Sequence, residues 1–94
     1  MKIALDYDDT YTKDPEYWDQ LIFIAEEYGH EIFVITNRQG ISDEDDEVFN
    51  VPIDSSNVVF TGGKAKKEFA EDLGIKIDVW IDDEPEYILE DKVK

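Results

Sequence analysis

The chain has 94 residues, of which 25 are Asp or Glu and 9 are Lys or Arg, so its formal net charge is −16. The length suits a single domain, 1–94. With 41% hydrophobic and 13% aromatic residues the chain is too apolar for a disordered acidic tail. The charge itself argues against non-specific nucleic-acid binding and against an anionic membrane surface, both of which would repel it.

Residues 2–5 form a short apolar run ending in Asp6, the pattern of a buried strand. Asp14-Pro15-Glu16 starts a helix, with an Asp cap, Pro at the first helical position and acid in the first turn. Trp18, Leu21, Ile22, Ala25 and Tyr28 follow at helical spacing as its inward stripe, and Gly29 stands where a terminating glycine belongs. Residues 31–35 are the second strand, running into Thr36-Asn37-Arg38. Residues 42–50 carry the acidic run 43–47 and read as a short helix or acidic loop with a solvated face. After a turn over 52–57 comes a third strand, 58–60, closed by Thr61-Gly62-Gly63. Residues 65–73 are helical with Phe69, Ala70 and Leu73 inward, and Gly74 ends them. Residues 77–81 are a fourth strand ending in Asp82-Asp83, and Asp83 can cap a last short helix through Leu89.

Strands alternating with helices imply a parallel sheet with right-handed crossovers and helices on both faces, a three-layer α/β/α arrangement. Ligands in such sheets bind at the carboxyl ends of the strands. There the sequence places Asp6, Asp8, Thr10, Thr36, Asn37, Arg38, Lys64, Asp82 and Asp83. Neighbouring first and fourth strands would bring carboxylates from both ends of the chain together. Such carboxylates repel and take up protons unless a cation compensates. The chain has no cysteine and one histidine, so an oxygen-ligand site for a hard ion, Mg²⁺, is the expectation. An EF-hand is ruled out, because Tyr11 and Tyr17 fall where its loop needs Gly and Glu. The lack of cysteine suits a reducing cytosol, and no apolar run approaches a membrane span, so a cytoplasmic protein is expected.

Asp6-Tyr7-Asp8-Asp9-Thr10 resembles the DxDxT motif of the haloacid dehalogenase-like (HAD-like) superfamily. Val34-Ile35-Thr36-Asn37-Arg38 looks like its second motif, and a lysine at a helix start after Gly62-Gly63 looks like its third. Val79-Trp80-Ile81-Asp82-Asp83 is similar to the fourth. The four occur in order and span nearly the whole chain. The resemblance implies a HAD-like, Rossmann-like fold and Mg²⁺-dependent hydrolysis of a phosphomonoester through an aspartyl-phosphate. By that carry-over Asp6 is the nucleophile, Asp8 the general acid and base, and Thr36 a phosphoryl contact. Thr10, Asn37 and Arg38 are substrate-side candidates. Asp6, Asp8 (through its main-chain carbonyl), Asp82 and Asp83 hold the metal. The lysine that offsets phosphoryl charge is Lys64, nearest the strand end, with Lys66 the runner-up. No stretch is long enough for a cap domain and a full fifth strand is missing. The resemblance therefore implies an open site, and with it a large substrate or a lid from a second copy of the chain.

Each residue also has a plainer reading. Asp6 and Asp8 could form a turn, Asp83 a helix cap, Thr36 a strand end, and the lysine a solvated side chain. His30 falls at the wrong end of the second strand for catalysis, and Trp18 and Trp80 read as packing. The rival function is a metal-binding or regulatory domain, HAD-fold or receiver-like, with little turnover.

Overall fold

The structure is a computed structural model that describes residues 1–92. Four strands, β1 (Lys2–Leu5), β2 (Glu31–Thr36), β3 (Val58–Phe60) and β4 (Val79–Ile81), form one sheet in the order β3-β2-β1-β4. All three pairings are parallel. Three α-helices accompany them: α1 (Pro15–Glu27) between β1 and β2, α2 (Lys66–Asp72) between β3 and β4, and α3 (Glu86–Leu89) after β4. The central strands are apolar throughout because the sheet is covered on both faces. Ile3, Leu5, Ile32 and Val34 pack under α1 with Ile22, Val48 and Val51. Ala4, Phe33, Ile35 and Val59 pack on the other face with Ala70 and Phe69 of α2. This is the expected three-layer α/β arrangement.

Local chemistry sets the helix ends. The Asp14 carboxylate accepts the Tyr17 N–H at the start of α1. At its close, Gly29 at φ 83 donates to Glu26 O while His30 N donates to Ala25 O, a Schellman pair. Gly74 and Ile75 repeat that pattern after α2.

Several expectations are corrected. Tyr28 and Leu73 were expected inward, yet each is the residue just past its helix, and they are 79% and 57% exposed. The fourth strand is shorter than 77–81, because Ile77 packs on the core without pairing. Asp83 does not cap α3, whose cap position falls on Pro85. Residues 43–50 form a 3-10 helix, and its Asp45 is not solvated. The Asp45 carboxylate is buried, accepting the N–H groups of Gly40, Ile41 and Ser42.

β4 is an edge strand. Beside it an apolar groove of about 450 Å³ runs between Val79 and Ile81 on one side and Tyr17, Leu21 and Ile24 of α1 on the other. Among the described residues no helix is long and apolar enough to cross a membrane.

Candidate metal and phosphoryl site

Register builds the site. Leu5 pairs with Ile81, so the residues that follow, Asp6 and Asp82, leave the sheet side by side. The Asp6 N–H donates to Ile81 O at 2.9 Å and fixes that adjacency. The chain then turns sharply, with Tyr11 N–H donating back to Asp6 O and Asp9 in the left-handed region at φ 61. A non-glycine residue there is uncommon and marks a loop held by its surroundings. The turn returns Thr10 to the carboxylates, where its hydroxyl lies 3.2 Å from Asp6 Oδ2 and 3.1 Å from Asp83 Oδ1.

One carboxylate oxygen each from Asp6, Asp82 and Asp83 lie within 4.8 Å of one another. Lys66 Nζ closes the group, donating to Asp6 Oδ1 at 2.8 Å and to Asp82 Oδ2 at 2.6 Å. That ammonium is 2% exposed. Three carboxylates against one ammonium leave an uncompensated double negative charge. Burial, with Asp83 and Asp82 beside it, pushes Asp6 up from 3.8 to about 7 despite Lys66. Asp83 moves the other way, lowered first by its hydrogen bond with Asp6 and then by Thr10. Without a cation the cluster therefore holds a proton, centred on Asp6. A divalent cation would remove the same excess, and an all-oxygen donor set suits a hard ion. The residues fit Mg²⁺ in charge and in ligand type.

The lysine that joins the carboxylate cluster is Lys66, not Lys64. Gly62 and Gly63, at φ 64 and 93, and the Lys64 N–H donating to Thr61 O fold the loop so that Lys64 faces solvent. Lys66 opens α2 on the same face as Phe69 and Ala70, three and four residues on, and so points at the sheet. That signal was present in the sequence. If Phe69 and Ala70 face inward, the residue on their stripe one turn earlier is Lys66.

Asp8, expected at the metal through its main-chain carbonyl, directs its side chain elsewhere. Its carboxylate stands outside the Asp6–Asp82–Asp83 cluster, held by the planar fork of Arg38. Arg38 Nε and Nη2 donate to its two oxygens at 2.9 and 2.8 Å. Arg38 further donates to Glu47 Oε1 and to Glu44 O, and its guanidinium lies 5.0 Å from the Tyr7 ring centre. Asp8 foremost, and then Glu47, raise the Arg38 pKa.

Thr36 ends β2, is buried, and accepts the Arg38 N–H on its hydroxyl. Asn37 Oδ1 accepts from the Thr61 hydroxyl at 2.9 Å, which ties the second and third strand ends together. Thr10 sits between two carboxylates of the acidic cluster. Asp8, Asn37 and Arg38 share a cleft of about 230 Å³ with Gln39, Gly63 and Lys92. Lys92 was missed, since nothing in the sequence ties a lysine after the last helix to the ends of the first strands. His30 lies at the far end of the sheet, against the Met1 amino group.

No family model matches this chain, and neither a curated protein nor a solved structure does.

Proposed function

We propose that this chain is a Mg²⁺-dependent phosphohydrolase, of the HAD-like type its motifs resemble, acting on a phosphomonoester through an aspartyl-phosphate on Asp6. The observation that carries this reading is Lys66, buried and bonded to both Asp6 and Asp82, beside a third carboxylate at the ends of neighbouring strands. A carboxylate nucleophile and a phosphate repel one another, and fixed cations at the reacting oxygens offset that repulsion. Asp6, Asp82 and Asp83 would hold Mg²⁺, which would supply charge neutralisation beside an ionised Asp6. Lys66 orients the Asp6 carboxylate and neutralises charge on the phosphoryl oxygens. Asp6 Oδ2, which accepts from the Thr10 hydroxyl and not from Lys66, attacks phosphorus, the ester P–O bond breaks, and Asp8 gives its proton to the leaving oxygen. Asp8 then takes a proton from water, which attacks the phosphorus and releases inorganic phosphate and Asp6. Thr36 closes the phosphoryl pocket from the end of β2. A cytoplasmic setting suits the metal and the cysteine-free composition.

The bond from Arg38 to Asp8 favours a second reading. An Asp8 held as a carboxylate cannot donate a proton, and a domain that stays in that state binds metal without turning over. Hydrolysis of an aryl phosphate with Mg²⁺ decides between them. We expect turnover that Asp6→Asn abolishes. Mg²⁺ binding with no turnover on a broad phosphate panel sinks the phosphatase, and a persistent phospho-Asp6 identifies a receiver-like acceptor.

A further inference from the structure

Two clefts open at the strand ends, one lined by Asp82 and Asp83 of the cluster and the other by Asp8. One, of about 410 Å³, is lined by Asp9, Asp14, Asp82 and Asp83 against Lys13. The other, of about 230 Å³, sets Arg38 and Lys92 against Asp8. Arg38 is already bonded to Asp8 and Glu47, so the cation that an anionic ester can reach in the second is Lys92. Lys92 is not a loose lysine at the end of the described chain. Its N–H donates to Gly63 O at 2.7 Å, and the preceding Asp91 accepts the Ala65 N–H at 2.8 Å. Both bonds dock the segment after α3 onto the loop that leads to Lys66. The Lys92 ammonium lies 5.3 Å from the Tyr87 ring centre and 3.1 Å from Glu84 Oε1. Glu84 is the main cause of its raised pKa, and Asp6 contributes. The Glu84 pair is half-exposed, of the kind that contributes little and exchanges readily for another anion.

We infer that the Arg38–Lys92 cleft is the leaving-group subsite, and that the substrate is a small phosphomonoester whose leaving group carries a second anionic group, a carboxylate or another phosphate. The inference rests on the phosphohydrolase reading for its reaction and on the two clefts for its specificity. At roughly 30 Å³ per water, the cleft holds the equivalent of about eight water molecules and so admits a group of a few carbons. Lys92 then acts as a specificity residue, contacting the distal anion.

The test compares kcat/KM, with Mg²⁺, on ethyl phosphate, carboxymethyl phosphate and ethylene bisphosphate, whose leaving groups have similar length. We expect one or both charged esters to be preferred by about tenfold, the size of a charge-assisted contact. Lys92→Gln should bring that ratio down to near unity. Equal kcat/KM for all three esters, or a ratio that Lys92→Gln leaves intact, overturns the subsite. Binding of propylphosphonate and of phosphonopropionate by calorimetry, with Mg²⁺, reads the same subsite without turnover. Tighter phosphonopropionate binding that Lys92→Gln removes, in a chain that hydrolyses nothing, keeps the subsite and sinks the phosphohydrolase. Equal binding of both phosphonates, or of neither, overturns the subsite.

Discussion

Lys66 is the residue on which the site turns, and its removal separates it from Lys64. Lys66→Met leaves the Asp6 and Asp82 carboxylates without their buried partner, a change that costs about 3–5 kcal/mol at pH 8. Lys64→Met, at an exposed position, stays within about 0.5 kcal/mol. Urea unfolding of the two variants checks both, and added Mg²⁺ should restore part of the Lys66→Met loss. Asp6 fixes a pH dependence whose sign is opposite to that of an ordinary paired carboxylate. Its folded-state pKa, about 7, lies above its ordinary 3.8, so the folded chain binds the proton more tightly than the unfolded one. In metal-free protein that stabilisation is complete below 3.8 and is lost as pH rises through about 7. Metal binding must displace the same proton. Mg²⁺ affinity should therefore weaken by about tenfold per pH unit below the Asp6 pKa, measured by calorimetry between pH 5 and pH 7. An affinity flat across that range would show that the cluster holds no proton. At this scale the sequence revealed the strand-end aspartates clearly, because a polar residue after an apolar run is visible without coordinates. The choice between Lys64 and Lys66 was decided by helix phase rather than by distance along the chain. Asp8 could not be placed at all without Arg38, a partner 30 residues away.

The elements show where the loops are rigid. Gly40 sits at φ 78, and a Cβ there would come 2.7 Å from the Phe60 ring. Gly74 has a similar φ, 80, with nothing within 4 Å of an added Cβ. Gly74→Ala therefore carries only the left-handed strain, about 1–2 kcal/mol. Gly40→Ala adds overpacking of about 1–3 kcal/mol to the same strain. Thermal unfolding should rank Gly40→Ala clearly below Gly74→Ala, and equal melting would mean that Phe60 moves aside freely. Gly40 also matters to the site, since the segment it opens carries Glu44 and Glu47, both partners of Arg38. The helices were legible from Asp14, Pro15, Gly29 and Gly74, because capping chemistry is local. Their last residues were not. Tyr28 and Leu73 continue an apolar stripe by spacing, but the helix has already ended beneath them. The bounds of β4 depend on pairing with β1, and no local pattern separates a paired Val79 from an unpaired Ile77.

For the whole molecule the governing quantity is charge. Of the 25 acidic residues, Asp6, Asp8, Asp82 and Asp83 lie at or beside the site, and most of the others line the surface. Their mutual repulsion opposes compaction and is screened over about 10 Å at 0.1 M salt. The metal-free chain should therefore melt at a higher temperature in moderate salt than at low ionic strength. The rate on a small anionic ester should likewise rise with moderate salt, as its approach to a net charge of −16 becomes easier. A rate that falls with salt would mean that local attraction by Arg38 and Lys92 outweighs the global field. The open edge of β4 acquires its meaning from that same charge. An unpaired strand beside an apolar groove is a template for joining another chain edge to edge. Here the strand is three residues long and is bracketed by Asp78 before it and Asp82, Asp83 and Glu84 after it. Two such edges cannot approach while those carboxylates are ionised. The protection is electrostatic and therefore has a pH limit. It weakens as the net charge falls to zero near pH 4.1, and light scattering should find the chain assembling there through β4 and dispersing again on return to neutral pH.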